Sequence, residues 1–291
     1  MQNLDLNKVR TDLELFMGAN EVSQKAISRA LGVSDTAISQ FRKGEYKGKA
    51  DALAQKIALY LENYQNKGTK TPLKPDELFI SNDFKYAKFV IDEAAREKEI
   101  AIITGTAGSG KSTIAAAWAK QHPNAILIEA TLHTTPKVLL EEIEHALRLP
   151  QAKNCHEKIL AISKDLKRRD VVLLIDEAEH LSVKALEDLR RIWDFSGVPL
   201  ILFGTEILMR NLMGKNGELR QLYSRIGGKW QLKGLTKDEC AQVTTEGVWN
   251  YTQGNFRSSV KLFKRALRLA EMHGTALDGD ILASAVSMII L

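Results

Sequence analysis

The chain of 291 residues is 44% hydrophobic and 26% charged, with a net charge of +5, which is typical of a globular protein of about two domains and permits nucleic acid as a partner. It has no stretch near the roughly 20 apolar residues that span a bilayer and no apolar signal-peptide core at its start, so we expect no membrane association. Its two cysteines, Cys155 and Cys240, have no partners at metal-ligand spacing, which favours a cytoplasmic protein with reduced thiols.

Residues 22–44 predict a helix–turn–helix. Ser23 and Ser34 are suited to cap two successive helices, and Gly32 between them suits a left-handed turn residue. The first helix carries an apolar stripe formed by Ala26, Ile27, Ala30 and Leu31. The inward face of the second helix consists of Ala37, Ile38 and Phe41. Its outward face, where a recognition helix meets the major groove of DNA, consists of Asp35, Thr36, Ser39 and Gln40.

The first segment is nearly neutral. Residues 1–66 carry nine basic and eight acidic side chains, so a strong phosphate-binding charge is missing and the segment is a weak or auxiliary reader of DNA. A helical hairpin that binds protein or nothing is the alternative. Prolines and a glycine among polar residues follow, so we predict a helix–turn–helix domain at 1–64 and a linker at 65–80.

A phosphate-binding loop follows an apolar strand at residues 100–104 and opens an alanine-rich helix, which is the context that the motif requires. Backbone N–H groups of such a loop close around a phosphate, while Lys111 can bridge the β- and γ-phosphates and the Ser112 hydroxyl can ligate Mg²⁺. The predicted cofactors are therefore ATP and Mg²⁺. The predicted binding residues of the loop are Gly105, Thr106, Ala107, Gly108, Ser109, Gly110, Lys111, Ser112 and Thr113.

The stretch DVVLLIDEAEHL, residues 170–181, predicts a second strand over 171–175 that is buried on both faces. Asp176 is then expected beside the phosphate loop, where it would hold Mg²⁺ through water. Glu177 is placed to polarise the water that attacks the γ-phosphate. A carboxylate that only starts a helix is the alternative for Glu177, and we assign His180 to packing or capping.

A third buried strand, in VPLILFGTEIL at 198–208, ends at Thr205. The Thr205 hydroxyl can hold the attacking water or the γ-phosphate, and a cap of the strand end is the alternative. Further on, Arg225 lies beyond this strand and Arg257 opens a helix. One nucleotide site can use both arginines, one from its own chain and one from a neighbouring copy as an arginine finger. Either can instead be an ordinary surface arginine.

These motifs resemble those of AAA+ ATPases, with sensor-like Thr205 and Arg257 and a finger-like Arg225. More narrowly, the chain is similar to the transposition protein B family of Mu-like phages, in which a helix–turn–helix precedes an AAA+ module. The segments that carry the resemblance are the helix–turn–helix, GTAGSGKS, LLIDEAEHL followed by LEDLRR, LYSRI, and GNFR with KRALRLAEMHG. The family's sensor strand can end in Gly-Asn, whereas this one ends in Gly204-Thr205.

The resemblance implies an α/β fold class. An AAA+ parallel sheet with the P-loop would occupy 81–228, a small helical lid 229–291, and the all-α helix–turn–helix domain would precede them. It also implies an ATPase that assembles with itself on double-stranded DNA as a helical filament when ATP is bound. Such a protein selects target DNA, delivers it to a transposase in the bacterial cytoplasm and stimulates strand transfer, and hydrolysis releases it.

Three groups of basic residues are candidates for sequence-independent DNA binding, and a solvated surface is the alternative for each. Lys137 follows a strand, where AAA+ rings often have pore loops. A cluster before the second strand consists of Lys164, Lys167, Arg168 and Arg169. One face of a C-terminal helix carries Arg257, Lys261, Lys264, Arg265 and Arg268. The other flank of that helix is predicted to pack through Val260, Phe263, Leu267 and Ala270.

Two other functions stay open. A transcriptional regulator would read an operator through its helix–turn–helix while the ATPase acts as a sensor. A helicase-loader-like ATPase would share the core but act on a helicase and single strands. The near-neutral first domain and the basic residues downstream favour the transposition function over both.

Overall fold

The computed structural model describes residues 6–20, 22–46, 48–65, 78–213 and 220–290. The chain divides into two compact units, Met1–Thr71 and Pro72–Leu291. Most of the predicted linker lies outside the described residues, and the predicted domain boundaries stay predictions. In the parts of the chain that are described, no helix has the length and apolar character to cross a membrane.

The first unit is helical in its described residues, and its helices are α1 (Leu6–Asn20), α2 (Gln24–Leu31), α3 (Asp35–Lys43) and α4 (Ala50–Gln65). The predicted caps of α2 and α3 are confirmed: Ser23 Oγ accepts a hydrogen bond from Ala26 N at 3.2 Å and Ser34 Oγ accepts one from Ala37 N at 3.2 Å. Gly32 has φ +64°, a left-handed conformation that costs glycine little. The local sequence therefore fixes both helix starts and the turn between them.

The core of the first unit includes Leu13, Ile27, Ile38, Phe41, Ala54 and Ile57. The predicted stripe on α2 is wrong in part, because Ala26 and Ala30 are exposed. Ser28 is buried instead, with 3% exposure. Its hydroxyl proton can be donated to Lys25 O at 3.0 Å or to the Asp35 carboxylate, which offsets the cost of burying a polar group.

The second unit contains one parallel sheet, and its strands are β1 (Ile100–Thr104), β2 (Ala125–Glu129), β3 (Val172–Asp176), β4 (Leu200–Gly204) and β5 (Ile226–Gln231). Their order is β2-β3-β4-β1-β5. The three inner strands are buried throughout, whereas the edge strands β2 and β5 are partly exposed. The predicted strands at β1, β3 and β4 are confirmed; β3 begins one residue later than predicted and includes Asp176.

Helices cover both faces of the sheet. The helices of the second unit before its lid are α5 (Asn82–Glu97), α6 (Lys111–Gln121), α7 (Pro136–Leu147), α8 (Cys155–Leu166), α9 (Val183–Ser196), α10 (Glu206–Met213) and α11 (Arg220–Tyr223). Helices α5 and α6 pack on one face, and α7, α8 and α9 pack on the other. The alternation of strands and helices thus builds the predicted α/β fold.

The lid is a small helical subdomain with its own core, and its helices are α12 (Lys237–Val243), α13 (Val248–Thr252), α14 (Phe256–His273) and α15 (Gly279–Val286). On α14, Phe263 and Ala270 are buried as predicted, whereas Val260 and Leu267 are only half-buried. The reason is that the buried stripe is centred on Ser259, Leu262, Phe263, Ala266, Leu269 and Ala270.

The start of α5 anchors the connection between β5 and the lid. The buried Asp83 carboxylate accepts hydrogen bonds from Lys233 N at 2.7 Å, Gly234 N at 2.8 Å and Trp230 Nε1 at 3.1 Å. Three donors satisfy a buried charge that would otherwise be costly. These hydrogen bonds therefore attach the segment that leads into the lid to the start of α5.

Candidate nucleotide site

The carboxyl ends of parallel strands lie at one edge of a sheet, where ligands of such folds bind. The predicted phosphate loop is at this edge, between β1 and α6. Gly108 and Gly110 have φ +79° and +104°, which only glycine adopts readily. Lys111 is buried, and its ammonium donates hydrogen bonds to Gly105 O at 2.9 Å and Thr106 O at 3.1 Å. The lysine is thus held inside the loop.

The loop fits a polar ligand. Ser109 Oγ is buried and has no hydrogen-bond partner within the described residues, and a Cβ at position 105 would lie 2.7 Å from it. An unsatisfied buried hydroxyl is costly, so a phosphate or water at the loop would stabilise it. The hydroxyl-bearing Ser112 and Thr113 lie in the first turn of α6 and are exposed, as are Thr106 and Ala107.

Two carboxylates follow one another at the end of β3. Asp176 is buried, and its Oδ1 accepts a hydrogen bond from Glu177 N at 2.9 Å. Glu177 has φ +53°, a conformation rare for a residue with a side chain and frequent at functional sites. Burial raises the pKa of Glu177, and the negative charges of Glu179 and Asp176 raise it further. A raised pKa makes the carboxylate a stronger base.

His180 is closer to the predicted catalytic residues than the sequence suggested. Its Nε2 lies 3.9 Å from a Glu177 carboxylate oxygen. Among the residues that the structure describes, no group of three or more His, Cys, Asp or Glu side chains could hold a metal by itself. A Mg²⁺ ion at Ser112 and Asp176 would therefore need further oxygen ligands, and Mg²⁺ usually takes these from substrate phosphates and water.

Glu179, which sequence reasoning missed, connects the ends of β3 and β4. Its Oε1 accepts a hydrogen bond from Thr205 N at 3.1 Å, and its Oε2 is buried with no partner in the described part of the chain. A Cβ at Gly204 would lie 2.8 Å from that oxygen, so the carboxylate requires glycine there. The Thr205 hydroxyl accepts a hydrogen bond from Ile207 N at 3.3 Å. This contact agrees with the alternative in which Thr205 caps the end of the strand.

The lid contacts the phosphate loop directly. Asn255 Nδ2 donates to Ala107 O at 2.8 Å, and Arg257 N donates to Gly108 O at 3.1 Å. Asn255 is also the N-cap of α14, and sequence reasoning missed it although it stands two residues before the predicted arginine. The structure therefore brings Arg257 together with the phosphate loop of its own chain, and the Arg257 side chain is exposed there.

Arg225 lies at the opposite edge of the sheet. It directly precedes β5, whose first residue Ile226 pairs with Ile100 at the start of β1. The five residues of β1 separate that edge from the phosphate loop by about 16 Å, at about 3.3 Å per residue. The Arg225 guanidinium donates from Nε to Asp194 Oδ1 at 2.7 Å and from Nη1 to Gln221 O at 2.7 Å. Arg225 therefore does not join the other site residues of its own chain.

The residues predicted to contact DNA lie in several separate segments. Lys137 is exposed, and its ammonium lies 3.8 Å from a Glu141 carboxylate oxygen, one turn away on α7. The cluster at the end of α8 precedes β3, and its exposed members are Lys164, Lys167, Arg168 and Arg169. Arg169 is paired with Asp165 at 2.8 Å.

On α14, the exposed basic residues are Lys261, Arg265 and Arg268, while Lys264 is half-buried. The Lys261 ammonium donates to Ile290 O at 2.9 Å. On α3, Thr36 and Gln40 are exposed and Ser39 is half-buried. The functions of these residues in DNA binding stay predictions.

Comparisons with known proteins identify an AAA domain, which matches residues 89–213. The Mu-like prophage FluMu DNA transposition protein B of Haemophilus influenzae is 25% identical, with 79% of this chain and 82% of that protein covered. The ATP-dependent target DNA activator B of Escherichia phage Mu is 24% identical, with 93% and 91% covered. Among solved structures, the Aeropyrum pernix ORC2 protein has a TM-score of 0.51 at 18% identity, with 73% of this chain and 70% of that chain covered.

These findings confirm the predicted resemblance to transposition protein B of Mu-like phages. The predicted fold class is confirmed by the parallel sheet and by the likeness to the ORC2 fold. The AAA-domain match and the ATP-dependent relatives together support ATPase activity, and a fold of this kind implies nucleotide binding.

Proposed function

We propose that this ATPase, which resembles the ATP-dependent target DNA activators of Mu-like phages, uses ATP to assemble on double-stranded DNA and to present that DNA to a transposase. It would bind DNA largely without regard to sequence, form a helical filament and stimulate strand transfer. Hydrolysis would release it from the DNA. The expected location is the cytoplasm of a bacterial host.

The position of Arg225 is the observation that carries the proposal. The length of β1 separates the Arg225 backbone from its own phosphate loop by about 16 Å, and Asp194 near the end of α9 holds its guanidinium. We therefore infer that it acts on a nucleotide that another copy holds. A site completed by a neighbour makes ATP turnover depend on assembly, as an arginine finger supplied by a partner does. Open head-to-tail assembly of identical contacts then produces a filament.

The remaining site residues act within one chain. Lys111 would bind the β- and γ-phosphates, and Glu177 would orient and deprotonate the attacking water. Thr205 and Arg257 are the candidates for sensing the γ-phosphate. Bound Mg²⁺, held through Ser112 and Asp176, would neutralise charge that develops on the phosphates. Because Asn255 and Arg257 contact the phosphate loop, the lid is suited to report whether ATP is bound.

The basic groups lie in separate segments of the second unit, at the end of α8 and along α14. Exposed residues of both segments would contribute phosphate contacts, and repeated copies along DNA would multiply them. The second helix of the helix–turn–helix begins with an acidic residue, Asp35. Its carboxylate accepts a hydrogen bond from the Ser28 hydroxyl. We therefore assign the first unit an auxiliary part in DNA binding.

Sedimentation with long random duplex DNA tests the proposal. We expect the protein to pellet with the DNA in ATP, but not in ADP or without nucleotide, and we expect continuous filaments in images of the pellet. Lys111→Ala is the matched control, because it should not pellet in ATP. Binding to discrete sites regardless of nucleotide would contradict the proposal and favour an operator-binding regulator.

A further inference from the structure

Arg225 belongs to a chain of ion pairs on α9. Its partner Asp194 also accepts a hydrogen bond, through the other carboxylate oxygen, from Arg190 Nη1. Arg190 is almost fully buried, with 7% of its side chain exposed, and its Nε donates to Glu187 Oε2 at 2.8 Å. Asp194 is therefore fixed by a buried arginine on one side and holds Arg225 on the other.

The hydrogen bonds leave one end of the Arg225 guanidinium open. Nε and Nη1 have partners at 2.7 Å each, whereas Nη2 has no hydrogen-bond partner within residues 220–290 or the rest of the described chain. A guanidinium has five N–H donors in a rigid plane. Fixing two of its three nitrogens fixes the direction of the third, so Nη2 is available to an external acceptor.

The network is balanced in charge. Asp194 is shared between Arg225 and Arg190, and Arg190 is also paired with Glu187. Two cations therefore face two carboxylates, so the contact with Asp194 serves to orient the Arg225 guanidinium.

We propose that Asp194 is the positioning residue of the arginine finger: it holds Arg225 so that Nη2 points at the γ-phosphate of a nucleotide bound by the next copy. The proposal rests on the proposed function, in which Arg225 acts on a neighbouring copy. Asp194 does not touch the nucleotide. It acts through Arg225 on the site of another chain.

Steady-state ATP hydrolysis with random duplex DNA provides the first test. Misplacing a catalytic group by about 1 Å can reduce the rate by up to about 100-fold, so we expect Asp194→Ala to lower kcat by at least about tenfold. The KM for ATP should change less than about twofold, since the variant's own nucleotide site is intact. Asp194→Asn keeps one of the two acceptor oxygens, because its NH₂ cannot accept from a guanidinium, and should recover only part of kcat. Glu93→Ala, which removes an exposed pair with Arg96, is the control and should match the parent.

Mixing variants distinguishes action on a neighbour from damage to the variant's own fold or site. Glu177→Gln should be inactive but supplies an intact finger. Mixed with Arg225→Ala, it should give hydrolysis well above the sum of the two alone, because the intact site of one chain meets the finger of the other. Mixed with Asp194→Ala, it should do the same.

The outcomes separate the two proposals. If the Arg225→Ala mixture is active and the Asp194→Ala mixture is not, Asp194 serves its own chain, and the positioning proposal is overturned. If Asp194→Ala alone hydrolyses ATP at the parental rate, the proposal is also overturned. If the Arg225→Ala mixture shows no recovery, the finger itself is wrong, and the proposed function loses its main support.

Discussion

Substituting Gly108 with alanine should separate the lid from the phosphate loop. The new Cβ would lie 2.8 Å from Arg257 Cβ and 2.9 Å from Asn255 Oδ1, so the lid must move. The left-handed backbone of this residue, with φ +79°, costs alanine about 1–2 kcal/mol. The two hydrogen bonds from Asn255 and Arg257 to the loop contribute about 0.5–1.5 kcal/mol each. The backbone cost applies whether or not the lid is docked, so only the loss of the two hydrogen bonds, about 1–3 kcal/mol together, disfavours the docked lid.

At about 1.4 kcal/mol per tenfold change, the lower value predicts ATP binding weakened by about fivefold if ATP requires the docked lid. Fluorescence titration with a labelled ATP analogue measures this, with thermal unfolding in parallel. Gly274→Ala is the matched control, because Gly274 has φ +62° and nothing within 4 Å of the added Cβ. If Gly108→Ala binds ATP as tightly as Gly274→Ala does, the lid does not help to form the nucleotide site.

Four further outcomes are expected. Lys111→Ala should abolish ATP binding in the same titration, because it removes the ammonium held inside the loop. Glu177→Gln should bind ATP and stay on DNA without turnover, which a phosphate-release assay combined with sedimentation detects. Phe41→Ala removes a fully buried ring and should cost about 3–5 kcal/mol, so urea titration should show the first unit unfolding early while ATP hydrolysis persists. A hydrogen bond from Arg42 lowers the pKa of Glu14. This contact therefore stabilises the fold fully at pH values above the ordinary pKa of glutamate. The stabilisation is lost as the pH falls through the lowered pKa. Glu14→Gln should therefore lose less thermal stability than the parent between about pH 5 and pH 3.

The inner strands and the phosphate loop were predictable because each depends on a local signal. A continuous apolar run indicates a strand buried on both faces, and the loop needs its glycines and lysine at fixed spacing. Strand β5, IGGKWQ, lacks such a run because it is an edge strand whose residues alternate between half-buried and exposed. It was therefore not predicted, although it determines where Arg225 lies.

Contacts between distant segments were out of reach of the sequence. Nothing local indicates that Asn255 meets a carbonyl 148 residues away, or that Glu179 holds the backbone of Thr205 at the end of another strand. Glu179 had one weak signal, a further acidic residue after Asp176 and Glu177, and that signal is compatible with a solvated carboxylate. Such residues become visible only when the sheet order is known, because the order decides which strand ends are neighbours.

Under the proposed function, the two edges of the sheet would link assembly to turnover. Lid, phosphate loop and Glu177 lie at the carboxyl edge, so one chain should bind ATP by itself. Arg225 and its partner Asp194 lie at the amino edge, away from that ATP. A lone chain should thus retain ATP, and a chain inside an assembly should hydrolyse it, because the neighbour would supply the missing cation. Any substitution that frees Arg225 should slow hydrolysis in the next copy while leaving ATP binding in its own chain unchanged.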